Sequence, residues 1–234
     1  MNSPYFFAAG PPLPVLIFIV LAVLLVIVVA IIGHRQEKKR REELQALARR
    51  LSLGFRERDT SLPDRYHFLD ALRQGSNRYA FNILEGAYHG HPVQAFDFHY
   101  ETYSRDSKGR RQTTHHYFSY FILEQERIFP ELRIYPETLL SKLGQMLGFK
   151  DISFESAEFS RAFTVRSPDK RFAYDICNPA LIEYLLRHRD LSVEIENRCV
   201  ALCFDRRVKP EEVETNLNRL ITIRGMFPEY LYRA

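Results

Sequence analysis

The feature that most constrains this chain is an uninterrupted apolar run close to its N-terminus. All 18 residues from Val15 to Ile32 are apolar, and no charged side chain precedes Arg35. A helix rises about 1.5 Å per residue, so the run spans about 27 Å, which matches the hydrocarbon core of a bilayer. A helix also satisfies the backbone hydrogen bonds that lipid cannot. We therefore predict a transmembrane helix over residues 13–33, after a short extracytoplasmic tail, residues 1–12.

A cleaved signal peptide is the main alternative for such a run. Signal peptides carry a basic region before the apolar core and a small-residue cleavage site after it. Residues 1–14 contain no basic side chain, and the run is followed by GHRQEKKRREE rather than by small residues. A buried core helix is also disfavoured, because 18 consecutive apolar residues leave no face for solvent. The pattern thus predicts a retained, single-pass anchor.

The charges beside the span predict its orientation. Arg35, Lys38, Lys39, Arg40 and Arg41 follow the apolar run, and no basic residue precedes it. The positive-inside rule then places the N-terminus outside and the large C-terminal part in the cytoplasm, at the cell (inner) membrane. The same five side chains would lie at the membrane surface, where anionic headgroups attract them. Lipid sensing through this basic segment is therefore one functional hypothesis.

An amphipathic pattern continues the basic segment and predicts a juxtamembrane helix over residues 34–58. Apolar side chains recur there at the i, i+3, i+4, i+7 spacing of one helix face. This stripe consists of Leu44, Leu47, Ala48 and Leu51. Gly54 suits the position just after the last helical turn.

The net charge of the chain is concentrated in this helix. Residues 35–58 hold nine basic and four acidic side chains, whereas residues 59–234 hold 24 basic and 25 acidic ones. The pI near 8.9 therefore reflects the juxtamembrane segment and not the rest of the chain. Binding of single strands also requires aromatic residues interleaved with basic ones on an exposed face. We predict no nucleic-acid partner.

The three cysteines lie in the part predicted to be cytoplasmic, where thiols stay reduced. They are Cys177, Cys199 and Cys203. Zinc sites draw on paired cysteines with a second pair of ligands, a pattern that this chain lacks. We therefore expect three free, buried thiols and no cofactor.

Periodicity beyond residue 59 predicts an α+β cytosolic domain of antiparallel β-hairpins with helices packed on one face. It occupies residues 59–234, and a division into two sub-parts, 59–148 and 149–234, is the alternative. Patterns typical of helices cover 61–75, 137–147, 178–188 and 209–227. Patterns typical of strands cover 78–86, 91–103, 113–125, 132–135, 160–167 and 170–177, and a hairpin turning at Asn197 and Arg198 covers 191–204.

Histidines cluster around the first predicted hairpins. His89-Gly90-His91-Pro92 separates two strands, and its glycine and proline favour a turn over a metal site.

The next hairpin is closed by a polar loop near Lys108. A hairpin centred on that loop pairs Phe98 with Phe118 and Glu101 with His115. One patch then holds Asp97, His99, Glu101 and His115. Such a patch is suited to a metal ion or to proton transfer, and solvated cross-strand pairs are the structural alternative.

A second motif lies at the junction of the two optional sub-parts. It consists of Gly148, Phe149, Asp151, Ile152, Phe154, Glu158, Phe159, Ser160 and Arg161. This series, with ILEGAYHGHPVQAFDFHYE upstream, resembles a family of uncharacterised bacterial membrane-anchored proteins with a domain of unknown function. The resemblance covers residues 44–231, implies a bacterial source, and transfers no catalytic residue.

Arg161 has two interpretations on physical grounds. An ion pair with a nearby glutamate, Glu155 or Glu158, would flank a buried Phe159 and hold the following strand to the sheet. Alternatively, the guanidinium group binds a ligand.

No nucleophile-elbow, phosphate-loop, dinucleotide-binding or H-E-x-x-H motif occurs. The sequence therefore favours a membrane-anchored cytosolic interaction or scaffold module, binding a protein partner or itself, over an enzyme. Two alternatives remain open. One is a membrane-tethered, metal-assisted hydrolase that uses His99 and His115, and the other is the lipid sensor.

Overall fold

A computed structural model describes residues 12–140 and 151–233 of the chain. The described residues fall into two compact units, divided between Glu43 and Leu44. Helix α1 runs from Leu13 to Arg50. Its most apolar 18-residue window has a mean hydropathy of 3.8 with none of it buried, so by length and composition it is a candidate membrane span. The predicted N-terminal apolar helix is thus confirmed as a helix.

The end of α1 differs from the predicted juxtamembrane helix over residues 34–58. Ser52 adopts a positive φ of 57°, and the amide of Leu53 donates to the Ala48 carbonyl at 2.8 Å. This is the hydrogen-bonding pattern of a Schellman motif, in which one left-handed residue ends the helix. Gly54, which we expected to end the helix, instead begins strand β1, Gly54–Asp59.

The second unit alternates long strands with short helices. After β1 come α2 (Leu62–Arg65), β2 (Ser76–Tyr88), β3 (His91–Arg105), β4 (Arg111–Pro136) and α3 (Glu137–Leu140). Residues 151–233 contain α4 (Ala157–Ala162), β5 (Phe163–Arg166), α5 (Lys170–Ile176), α6 (Pro179–Arg187), β6 (Ser192–Phe204) and α7 (Pro210–Gly225), then a 3₁₀ turn, Glu229–Leu231. Of the helix predicted over 137–147, only α3 lies within the described residues.

The six described strands form one antiparallel sheet, with the order β1-β2-β3-β4. Strand β4 is its centre, because β3 and β5 pair with successive parts of one edge and β6 pairs with the other. The two optional sub-parts therefore share a single sheet. The structure confirms the α+β class with its antiparallel sheet and helices.

Both faces of the sheet are covered. On the first face, to which Val93, Ala95 and Phe121 point, the sheet packs against the end of α1 and helices α4 to α7. On the second face, to which Phe96 and Phe98 point, the core is closed by residues 62–72. The helices thus favour one face as predicted, and the second face is closed by a largely non-helical segment.

That covering segment corrects the helix predicted over residues 61–75. Only α2 is helical, and the following residues form turns. The amide of Asp70 donates to the Glu194 carboxylate at 2.9 Å, and that of Ala71 donates to the Tyr120 hydroxyl at 3.2 Å. Because these amides bond to side chains of the sheet, they do not take the carbonyl partners that a helix needs.

Two strand predictions were wrong, and a third was right in type but too short. Helix α5 occupies Lys170–Ile176 of the strand predicted over 170–177, and the Asp169 carboxylate caps it by accepting from the Phe172 amide at 3.0 Å. The hairpin predicted over 191–204 is the single strand β6, Ser192–Phe204, and Asn197, with φ 55°, lies opposite a bulge in β4 rather than in a turn. The strand predicted at 132–135 is confirmed as part of the longer strand β4. The sequence analysis thus missed one local cap and one pairing between distant strands.

Candidate functional site

The hairpin between β2 and β3 is closed by His89 and Gly90. Their φ angles are 49° and 80°, and two consecutive positive values are what a type I′ turn requires. The Tyr88↔His91 pair confirms that the turn contains these two residues alone. His89 is therefore part of the turn, as predicted, and His91 begins strand β3 directly after it.

The register of the next hairpin is the one that the sequence predicted. Phe98 pairs with Phe118, Tyr100 with His116, and Glu101 with His115. Alternation along β3 then directs His99 and Glu101 to the first face of the sheet, beyond the part covered by helices.

Three side chains of this hairpin converge, two of them at hydrogen-bonding distance and the third at ion-pair distance. His99 Nε2 lies 3.0 Å from His115 Nδ1, and His115 Nδ1 lies 3.6 Å from Glu101 Oε1. One ligand atom from each of the three residues lies within 4.8 Å of those of the other two. His99 is only 2% exposed, whereas the side chain of His115 is 53% exposed. We call His99, Glu101 and His115 the histidine cluster. Its His99 is buried and its His115 is exposed to solvent.

Asn77 organises the histidine cluster from β2. A register shift between Ser76 and Tyr79 marks a bulge, in which Asn77 adopts a φ of 50°. From there its carbonyl oxygen lies 3.2 Å from His99 Nδ1, and its side-chain amide donates to Glu101 Oε1 at 2.6 Å. Bulges commonly redirect groups in this way beside functional sites. The sequence analysis missed Asn77, since a bulge leaves no periodic signal.

These contacts determine the protonation of the site. A carbonyl oxygen only accepts, so His99 Nδ1 carries a proton and its neutral ring offers a lone pair at Nε2. Burial lowers the pKa of His99, and the nearby His115 adds to this effect. Hydrogen bonds from Asn77 and from the Tyr103 hydroxyl, 2.7 Å away, lower the pKa of Glu101. Near neutral pH the site thus combines a neutral His99 with an anionic Glu101.

Aromatic rings surround His99. The Tyr79 and Tyr117 ring centroids lie 4.6 and 5.1 Å from that of His99. The guanidinium of Arg58 lies 3.7 Å from the Tyr79 ring centroid. These rings restrict the rotamers of His99, because a packed imidazole cannot turn without displacing them.

Asp97, the fourth residue of the predicted patch, forms its hydrogen bonds with residues outside the histidine cluster. Its carboxylate accepts from Ser119 Oγ at 2.7 Å and from Asn82 Nδ2 at 3.0 Å, and it lies 3.5 Å from Arg207 Nε. The Ser119 hydroxyl in turn accepts from the Val208 amide at 2.9 Å. Asp97 therefore fastens the loop between β6 and α7 to the sheet.

Arg161 lies on α4 and not at a strand start. Its Nε donates to the Ala157 carbonyl of the same helix at 3.2 Å. The pairing differs from the predicted one, because Glu158 forms its ion pair with Arg189. Phe159 is fully buried as expected. Arg161 shares a shallow surface depression with Glu158 and Arg189, and ligand binding there stays a prediction.

The predicted membrane-surface residues lie on α1. Lys38 and Lys39 form exposed i,i+4 pairs with Glu42 and Glu43, at 3.9 and 3.7 Å. Such exposed pairs contribute at most about 0.5 kcal/mol each. Arg35, Arg40 and Arg41 belong to the same helix.

The structure also contains a buried ionic cluster that the sequence analysis missed. Arg133 of β4, 1% exposed, lies 3.3 Å from Asp70 and 3.7 Å from Glu194, measured between its Nε and a carboxylate oxygen. The Tyr135 hydroxyl donates to Asp70 at 2.7 Å, and the Tyr120 hydroxyl donates to Glu194 at 3.1 Å. We call these five residues the arginine cluster; it lies on the second face.

The buried charges of the arginine cluster shift the pKa values of its own members. Burial opposes the charged form of Arg133, but Glu194 and Asp70 outweigh it and raise the pKa of Arg133. Burial raises the pKa of Glu194 to about 7, the Asp70 charge adds to this effect, and Arg133 opposes it. Arg133 Nη2 also donates to the Phe68 carbonyl at 2.8 Å. The cluster therefore attaches the covering segment, residues 62–72, to the sheet.

Comparison with known proteins supports the fold. No protein-family model matches this chain, and no curated protein matches it. The chain is similar to a solved structure, the mycobacterial trehalose monomycolate transport factor A, TtfA, with a TM-score of 0.58 and 11% sequence identity. The match covers 81% of this chain and 95% of TtfA. At this identity the likeness shows a shared fold alone, and the bacterial family suggested by the sequence stays a prediction.

Proposed function

We propose that this protein is a membrane-anchored accessory module, which holds its second unit at the cytoplasmic face of a bacterial inner membrane and binds a protein partner there. The observation that carries the proposal is α1, whose 18-residue apolar window is entirely exposed and is the candidate membrane span. The basic run that follows the apolar residues supports the orientation, with the N-terminus outside.

The fold likeness supports the accessory role. TtfA is described as a transport factor for trehalose monomycolate. By analogy, the partner of the present protein is a component of a membrane transport system, and the second unit supplies a binding surface rather than a reaction centre. Self-association is the alternative form of the same interaction.

Fractionation tests the anchor. The full chain should stay in the membrane pellet after carbonate extraction, and a Val23→Arg/Ile27→Arg variant should move to the supernatant, because each charge at the bilayer centre costs about 3 kcal/mol. The matched control, Val23→Leu/Ile27→Leu, should stay in the pellet. Release of the unsubstituted chain by carbonate would contradict the anchor.

Reporter fusions test the orientation. A fluorescent protein that matures only in the cytoplasm should be active when fused after Ala234, and alkaline phosphatase fused at the same point should be inactive. The reverse result would place the second unit outside the cytoplasm.

Photo-crosslinking tests the partner. Tyr117 and Tyr174 are exposed on different parts of the second unit, at 41% and 50%. A photoreactive residue at one of these positions should give a discrete adduct with one membrane protein in intact membranes, and the other position serves as its control. An adduct of twice the chain mass would indicate self-association, and adducts with lipid alone from both positions would contradict a protein partner.

A further inference from the structure

We propose that the histidine cluster binds one divalent transition-metal ion of the zinc class, through His99 Nε2, His115 Nδ1 and Glu101 Oε1. This inference is independent of the accessory role. The three residues come from neighbouring strands, and one ligand atom of each already lies within 4.8 Å of those of the other two. Two imidazoles and one carboxylate form a ligand set that zinc and related ions use in proteins.

The spacing of these atoms fits an ion between them. Two ligands at about 2.1 Å from a tetrahedral zinc are separated by about 3.4 Å. The His99–His115 separation is 3.0 Å and the His115–Glu101 separation is 3.6 Å. These two separations lie on either side of that value, so we expect side-chain rotations to complete the site with the backbone of the hairpin in place.

Asn77 prepares two of the three ligands. Its carbonyl oxygen accepts from His99 Nδ1 at 3.2 Å, which leaves the Nε2 lone pair directed at the site. Its amide holds Glu101 Oε1 at 2.6 Å, and the Tyr103 hydroxyl holds the other oxygen at 2.7 Å. Metal-binding histidines characteristically donate their second N–H to a carbonyl or carboxylate in this way.

His115 completes the site from the neighbouring strand β4. In the metal-free cluster its Nδ1–H donates to His99 Nε2, because His99 has its own proton on Nδ1. As a ligand, His115 would present its Nδ1 lone pair to the ion and carry its ring N–H at Nε2. The side chain is 53% exposed, so solvent can receive that N–H and the ion can enter from that side.

The donor set also selects among ions. Magnesium and calcium prefer six or more oxygen ligands, whereas this cluster offers two nitrogen atoms and one carboxylate. Three protein ligands leave a position for water or for a group of a partner, as in catalytic zinc sites. The hydrolase hypothesis for His99 and His115 therefore depends on this ion.

A titration tests the proposal on the full, tag-free chain in detergent micelles after treatment with a chelator. Zn²⁺ should bind with a stoichiometry of one by calorimetry. Co²⁺ should give visible absorption bands of a nitrogen–oxygen site, which Zn²⁺ abolishes and Mg²⁺ does not. Absence of saturable Zn²⁺ binding up to millimolar concentration would overturn the proposal.

Variants assign the binding to these residues. His115→Ala should weaken Zn²⁺ binding by about 100-fold or more, and Asn77→Gly, which keeps the positive φ but loses the amide, should weaken it by about 10-fold. The matched control is His116→Ala, because His116 stacks on Tyr100 and contacts Thr102 on the other side of β4. Unchanged affinity in His115→Ala, or an equal loss in His116→Ala, would show that the ion binds elsewhere.

Discussion

The histidine cluster and the arginine cluster lie on opposite faces of one sheet, and they differ in access to water. Arg133, Asp70 and Glu194 are each at most 1% exposed, whereas the side chain of His115 is 53% exposed. A buried charge must be satisfied by protein groups, so the arginine cluster is committed to the fold. A cluster that reaches solvent can exchange water for a ligand. Exposure, more than residue type, separates the structural site from the candidate binding site.

Replacing Arg133 should lower the stability of the protein more than any other substitution in the two clusters. Arg133→Ala leaves Glu194 buried without its cation and Asp70 with the exposed Arg73 alone, so we expect the free energy of unfolding to fall by about 3–5 kcal/mol. Denaturant unfolding of the full chain in micelles measures it. Arg73→Ala is the control, because Arg73 contacts the same Asp70 at 3.0 Å but is 56% exposed, and we expect a loss below about 1 kcal/mol. Equal losses in the two variants would mean that burial does not distinguish these pairs.

The dependence of stability on pH should reveal the titration of Glu194. Its pKa in the folded state is about 7 against an ordinary value of 4.5. Between these pH values the folded protein keeps a proton that the unfolded chain has lost, so stability falls as pH rises. The expected loss is about 3 kcal/mol over this window.

The Glu194→Gln variant should lose this slope, whatever its absolute stability. Of the groups that face Glu194, Asp70 and Arg133 are charged partners, and burial raises the pKa of Tyr120, Tyr135 and Cys203 well above their ordinary values. Those three groups therefore stay neutral between pH 5 and 8. Unfolding measured across that range checks the prediction, and an unchanged slope in the variant would assign the titration to another group.

Gly75 lies between the covering segment and β2, and it packs against Tyr100 and Glu101 of β3. Its φ is 66°, and an added Cβ would meet the Tyr100 ring and come within 2.5 Å of the Glu101 carbonyl oxygen. We expect Gly75→Ala to destabilise the protein by about 2–3 kcal/mol. Gly109→Ala is the control, with a similar φ of 76° and no atom within 4 Å of its Cβ, and should cost about 1 kcal/mol. Similar losses of stability in the two variants would show that the contact with β3 adds nothing to the effect of Gly75→Ala.

Substitution in the histidine cluster should have the smallest effect on stability. We expect His115→Ala to change the free energy of unfolding by less than about 0.5 kcal/mol, because the side chain is largely exposed. The same denaturant experiment measures it. A loss as large as that of Arg133→Ala would mean that the cluster holds the hairpin together and would remove the contrast.

The sequence predicted the hairpin of the histidine cluster well and the arginine cluster not at all. The hairpin is local: a polar loop near Lys108 sets the centre, and the alternating aromatic residues set the faces, so Glu101 had to meet His115. The arginine cluster joins Asp70, Arg133 and Glu194, which come from three separate parts of the chain. No local pattern marks such a set before the strands are paired.

The same distinction explains the errors in secondary structure. Residues 170–177 alternate like a strand, yet the cap at Asp169 and burial of one face against the core favour α5. Asn197 has the character of a turn residue, yet pairing with β4 along its length keeps β6 continuous through a bulge. In both segments, tertiary partners outweighed a local preference that is worth less than about 1 kcal/mol per residue.

The sequence by itself determined the apolar helix, the antiparallel α+β class, the His89-Gly90 turn and the register of β3 against β4, because each follows from periodicity or turn chemistry over a few neighbouring residues. Only the tertiary structure decided that Asn77 braces His99 and Glu101, that Asp97 serves the loop after β6, and that Arg133 is buried among carboxylates. Those contacts depend on a bulge and on pairings between distant strands, whose energies exist only when the whole sheet has formed.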